Sequence, residues 1–345
     1  MSALVSFQIE DNKSLSLTDI NISKNKLSDI QNQRTFVSFF CGCGGMDLGF
    51  LGNFSFKDRY IDRTNFEIIA AYDNNEKCIA TYKSNISQKA EIKDLSNYKA
   101  KDVPKADVLI GGFPCQDFAT CGPREGLQST RGRLYKSMIR YMREHSPYVV
   151  VGENVLGLAT MSKGSVLKTI TKDISKAGYN VDVWKLYAPD YGIPQTRTRL
   201  FIVGVRKDLP GFPQLPDKTH TAPDYPTTRW AIQDLENIEN ESIPNQSQFF
   251  KANKAKKGHG QGDETTLADS PSYTIRANAK SRVQFHYSLQ RRLTIRECAR
   301  LQTFPDSFVF PHHATTNIMQ IGNAVPPLLA NKVAVSISQY LEVTI

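Results

Sequence analysis

Between Thr35 and about Val205 the chain alternates short apolar runs with longer amphipathic stretches. The apolar runs at 36–40, 68–72, 108–110, 148–151, 181–187 and 200–205 are predicted as strands. Segments 76–84, 134–144 and 165–177 lie between them and are predicted as helices. Strand followed by helix, repeated in this way, implies an α/β fold with a mostly parallel sheet covered by helices on both faces. Residues 1–34 are polar and without a sustained period, as expected of an N-terminal extension. After Val205 the alternation stops, and residues 206–291 carry Pro, Asn, Gln, Gly and Lys clusters instead. Regular signals return at 293–302 and 325–340, and Thr294 with Glu297 reads as a helix capping box. The expected organisation is a cofactor-binding α/β domain from 35–205 plus 316–345, with a smaller loop-rich domain at 206–315.

Composition narrows the classes. With 345 residues, 40% apolar and 22% charged, the chain is neither fibrous nor wholly disordered. No apolar run approaches the roughly 20 residues of a membrane span. Glu10 and Asp11 interrupt the N-terminus, so no signal core is expected, and a cytoplasmic location follows. Six cysteines without CxxC spacing suggest neither a disulfide framework nor a zinc site, and no metal is expected. The net charge of +9 hints at a polyanionic partner. That hint acquires an address at 251–292, where nine Lys and Arg face three acids.

Five places could carry chemistry. After the first strand comes Phe40-Cys-Gly-Cys-Gly-Gly45, whose glycines would let the backbone approach a ligand at the carboxyl edge of the sheet. The dinucleotide fingerprint G-x-G-x-x-G fails there because Asp47 occupies its third glycine position, which disfavours an NAD oxidoreductase. Asp73 ends the second strand, where a carboxylate could accept hydrogen bonds from both ribose hydroxyls; Asp94-Leu95 could hold an adenine amine. Together these favour a nucleoside-bearing cofactor. Cys115 follows a buried strand directly, in a turn with glycines and a proline; a lone cysteine is usually a small core hydrophobe, but this setting favours an exposed thiol. The neighbouring strand ends by presenting Glu153, and a carboxylate beside a nucleophile is a candidate acid.

These blocks, in order, resemble the C5-cytosine DNA methyltransferases of bacterial restriction-modification systems. The resemblance runs from Val37 to the C-terminus and rests on Phe40-Cys-Gly-Cys-Gly-Gly45, Gly112-Phe-Pro-Cys-Gln116, Glu153-Asn-Val155, Gln195-Thr-Arg-Thr-Arg199, Arg292 through Pro305, and Gln320-Ile-Gly-Asn-Ala-Val-Pro326. It implies a Rossmann-like S-adenosylmethionine-dependent catalytic domain, a target recognition domain at 206–315, and methyl transfer to C5 of a flipped cytosine in double-stranded DNA. Cys115 would attack C6, Glu153 would supply the proton at N3, Arg199 would contact O2, and Arg197 would organise the pocket. S-adenosyl-L-methionine would lie against Phe40, Gly42, Gly44, Gly45, Asp73, Asn74, Asp94, Leu95, Pro114, Leu134, Asn323 and Val325. DNA contacts would come from Gln116, Arg131 on a closing loop, Thr274, Arg276, Lys280 and Arg282. The family pattern commonly has serine where this chain has Ala119 and Cys121, which leaves loop contacts from those two positions open. A monomer is expected, paired functionally with a cognate endonuclease. The alternatives are a tRNA methyltransferase with the same core and a catalytically silent DNA-binding protein of this fold; the paired Cys115, Glu153, Arg197 and Arg199 disfavour the latter.

Overall fold

In a computed structural model the described residues are 33–114, 134–237, 239, 241–252, 263–279 and 284–345. The expected extension at 1–34 therefore lies almost wholly outside them, and Arg34 already belongs to the first strand. The central sheet has seven strands: β1 (Arg34–Phe39), β4 (Phe66–Asp73), β5 (Ala90–Ile92), β6 (Val108–Gly111), β7 (Val149–Val155), β8 (Tyr179–Tyr187) and β9 (Thr198–Arg206). Their order is β5-β4-β1-β6-β7-β9-β8. Every pair from β5 to β7 is parallel, whereas β9 runs antiparallel to both β7 and β8. The chain leaves β1 toward β4 and β5, then returns to the other side of β1 as β6. The switch point thus falls between β1 and β6, where open α/β sheets bind ligands at their carboxyl ends.

The strands are apolar on both faces because both faces are covered. Phe36, Val108, Ile110, Val149 and Val151 pack into one core, and Val37, Phe39, Leu109 and Val150 into the other. The second core is closed by α3 (Tyr135–His145) and α4 (Ser165–Lys176), through Met138, Tyr141, Met142, Val166 and Ile170. The first core receives α1 (Gly45–Leu51) and α8 (Pro327–Thr344). It continues into Ala231, Ile232, Ile275, Leu293 and the short helix α6 (Ile295–Leu301). Residues 34–345 form one compact unit on that account.

Local signals set the helix ends. Asn75 caps α2 (Glu76–Asn85) by accepting from the backbone N–H groups of Lys77 and Cys78. The capping box expected at Thr294 and Glu297 opens α6 with both reciprocal bonds present. The β2–β3 hairpin (Phe54–Phe56 and Arg59–Ile61) was not predicted, because three-residue strands leave no measurable alternation. Helix α7 (Ala314–Asn323) was missed as well, and α5 (Thr228–Ile232) is only five residues long. α1 meets α8 closely at Gly49, where a Cβ would lie 2.3 Å from the Pro327 carbonyl oxygen. Asn331 of α8 donates to the Gly49 carbonyl at 3.0 Å, so the C-terminal helix is both packed against α1 and hydrogen-bonded to it.

Leu329 is fully buried on α8, whereas Val343 near its end is 86% exposed. Leu329→Ala is expected to lower the free energy of urea unfolding by about 2–5 kcal/mol. Val343→Ala should change it by less than about 0.5 kcal/mol.

Candidate active site

A cavity of about 680 Å³ opens at the carboxyl ends of β1, β4, β6 and β7. Its floor is the turn after β1. Phe40 and Gly42 take positive φ there (55° each), and Phe40, Gly42 and Gly45 line the space. Gly44 faces away from it, toward α2, where a Cβ would collide with Ile86 and Tyr82. Asp73 closes β4 with its carboxylate fastened to the floor: Gly42 N–H donates to Oδ2 at 2.9 Å and Asn75 N–H to Oδ1 at 2.8 Å. Each oxygen keeps a further acceptor site. Burial raises the Asp73 pKa, and the backbone donors of Asn75, Gly42 and Asn74 oppose that rise. Asn74, Pro114, Asn323 and Val325 also line the cavity.

Besides Gly44, three of the expected cofactor residues do not line the cavity. Asp94 is exposed and caps a 3₁₀ turn by accepting from Ser96 N–H, which holds its carboxyl below the ordinary range. Leu95 is buried in the core beneath β1 with Val37 and Phe39. Leu134 is the residue before α3.

The far end of the cavity holds the acid–base groups. Glu153 lies on β7 directly opposite Phe201 of β9, so Arg199, two residues earlier on β9, is its diagonal neighbour on the same face. Arg199 Nε meets Glu153 Oε1 at 2.9 Å with both side chains about 10% exposed. Because β9 is antiparallel, its start reaches the edge where the parallel strands end, which is what delivers Arg197 and Arg199 there. Burial raises the Glu153 pKa, and the charges of Arg199 and Arg197 oppose the rise. Glu153 Oε2 would be 3.2 Å from a Cβ on Gly112, so the carboxyl lies against the segment leading to Pro114. Asn154 donates to the Phe113 carbonyl at 2.9 Å and steadies the same segment. Cys115, Gln116 and Arg131 lie outside the described residues, as do Lys280 and Arg282.

Arg197 is 1% exposed and binds carbonyls rather than a carboxylate. It donates to Ile275 O at 3.0 Å, Gly322 O at 2.7 Å and Ala324 O at 2.9 Å. Segment 272–275 is zipped onto 194–197: Thr196 N–H donates to Ser272 O, Thr274 Oγ1 donates to Thr196 O at 2.6 Å, and Ile275 N–H donates to the Gln195 side chain. Thr274 and the exposed Arg276 thereby reach the cavity wall. Close approach demands glycine at position 322, where a Cβ would lie 2.2 Å from Ala277 N. Two organising residues went unassigned in the sequence: fully buried Gln195, which also donates to Leu301 O and Gln302 Oε1, and Asn154. Each sits inside a block already singled out, and adjacency to Arg197 or Glu153 was the available signal.

A cavity at the switch point of the sheet, with the acid that ends β4 at one end and a carboxyl–guanidinium pair at the other, is the site of an α/β enzyme. The fold agrees: the S. pombe Dnmt2 methyltransferase superposes with a TM-score of 0.66 at 20% identity, over 90% of this chain and 99% of that one. Residues 34–339 match the C-5 cytosine-specific DNA methylase family, and the chain belongs to it. Type II methyltransferase M.BspRI of Lysinibacillus sphaericus is 31% identical over 96% of this chain and 88% of its own length. Type II methyltransferase M.NgoFVII of Neisseria gonorrhoeae is 33% identical over 88% of this chain and 86% of its own.

Arg197→Lys replaces a fork that reaches three carbonyls with a single ammonium. It is expected to destabilise the fold by about 2–3 kcal/mol in urea unfolding. Amide exchange should rise at Ile275 and around Gly322.

Proposed function

We propose that this protein transfers a methyl group from S-adenosyl-L-methionine to C5 of cytosine in a specific duplex DNA sequence, as part of a restriction-modification system. The observation that carries this reading is the two-ended cavity: carboxylates at the β1–β4 end, and Glu153 with Arg199 at the β7–β9 end, in one continuous space. The residues at the first end suit the cofactor. Asp73 has unused acceptor sites for ribose hydroxyls, Phe40 offers an apolar wall, and the Gly42–Gly45 backbone permits close approach. When bound, the cofactor supplies an electrophilic methyl on a sulfonium.

The protein's own work begins with a flipped cytosine, since none of the atoms concerned is reachable in stacked duplex. Cys115, next in the chain after the cavity-lining Pro114, adds as thiolate to C6 and raises electron density at C5. Sulfur suits the task because it adds readily and leaves again by elimination. Glu153 gives a proton to N3 as negative charge develops there; its raised pKa keeps the protonated form available to higher pH than in a free glutamic acid. Arg199 holds that carboxyl and contacts O2. Arg197 holds the walls. Residues 206–315 act as the target recognition region, with Arg276 at the cavity rim and the basic 251–292 stretch on phosphates.

Transfer of labelled methyl to duplex DNA, with tRNA as the competing substrate, tests the reading. Activity on DNA and none on tRNA is expected. Cys115→Ala should abolish transfer; residual transfer by that variant would sink the covalent mechanism. Glu153→Gln should lower the rate by about 10²–10⁴-fold while cofactor binding is retained.

A further inference from the structure

Asp47, in the first turn of α1, is a buried acid that the proposed reaction does not use. It is fully buried yet forms part of the cavity wall. Its Oδ1 accepts from the Tyr82 hydroxyl at 2.9 Å, and its Oδ2 has no hydrogen-bond partner among the described residues. The titratable groups that face it are Tyr82 of α2, Cys41 and Cys43 of the floor turn, and Asp73 at the end of β4. None of these is a cation. Burial pushes the Asp47 pKa up to about 7, while the Ser38 and Tyr82 hydroxyls pull it back. A carboxylate removed from water without a positive partner is costly, and a cation entering the cavity would supply what is missing.

We propose that Asp47 is the counter-charge for the sulfonium of the cofactor, so that this cavity favours S-adenosylmethionine over the demethylated product. This rests on the cofactor reading given above. The difference between the two ligands is one positive charge at sulfur, and that charge is lost when the methyl leaves for C5. With the sulfonium present, Asp47 is held ionised. With the neutral thioether nothing holds it ionised below about pH 7, where it takes up a proton from solvent, and it gives that ligand no preference. Charge alone therefore biases the site toward loading substrate and releasing product.

Calorimetric titration of the full chain with S-adenosylmethionine, S-adenosylhomocysteine and sinefungin, whose amine puts a cation where the sulfonium lies, tests the proposal between pH 6 and 8.5. Wild type should bind S-adenosylmethionine and sinefungin more tightly as pH rises through 7, with S-adenosylhomocysteine nearly flat. Asp47→Asn should weaken the two cationic ligands by about tenfold, corresponding to one pKa unit of differential interaction, and leave S-adenosylhomocysteine unchanged. An equal loss for all three would mean that Asp47 serves the shared part of the ligands or the fold, and would overturn the proposal alone. Failure of wild type to bind any of them would remove the cofactor reading and this inference with it. If Asp47→Asn does not fold, the wild-type pH profiles decide: parallel profiles for the cationic and neutral ligands refute the counter-charge.

Discussion

The guanidinium of Arg197 is the point at which the molecule is tied together. It is buried, and its hydrogen bonds run to backbone carbonyls of Ile275 on one segment and of Gly322 and Ala324 on another, both far from Arg197 in sequence. Five fixed donors in a plane can satisfy several carbonyl dipoles at once, which an ammonium cannot. The cavity exists because these segments are held around it. The turn before β9 supplies one wall, segment 274–277 another, and the α7–α8 junction a third. Gly322 completes the arrangement by letting the 276–277 backbone pass where any side chain would block it.

The reversed direction of β9 has a chemical consequence. In an all-parallel sheet the start of a strand is remote from the edge where ligands bind. Here Arg199 at the start of β9 lies in register with Val155 at the end of β7, so a cation from one strand and a carboxyl from its neighbour meet at the carboxyl edge. The cavity is thereby divided electrically: Asp47 and Asp73 face one end, and the arginines gather at the other around Glu153. A cationic ligand and an electron-rich base that must gain a proton suit those two ends in turn.

Much of this was legible beforehand. Strands β1, β4, β6, β7, β8 and β9 were each predicted, as were helices α2, α3, α4, α6 and α8, because their residues are buried on both faces or at helical spacing. Asp73, Glu153, Arg197 and Arg199 were singled out in the sequence and meet at one cavity. Asp94 and Leu95 were singled out by the same reasoning and do not reach it, since a local cap and the core claim them first. The β2–β3 hairpin was illegible for a different reason: three-residue strands carry no period of their own. Helix α7 was missed although its buried residues, Asn317, Ile318, Gln320 and Ile321, recur at helical spacing.

By itself, then, the sequence determined which residue types stand at strand ends and in what order, because burial and turn chemistry are local. Only the tertiary structure decided their partners. That β9 is antiparallel, that Arg197 binds carbonyls instead of an acid, and that Asp47 is buried with one oxygen unbonded among the described residues all follow from contacts across tens to more than a hundred residues. Such contacts are selected by the packing of the whole sheet and its covering helices, and no local pattern along the chain encodes them.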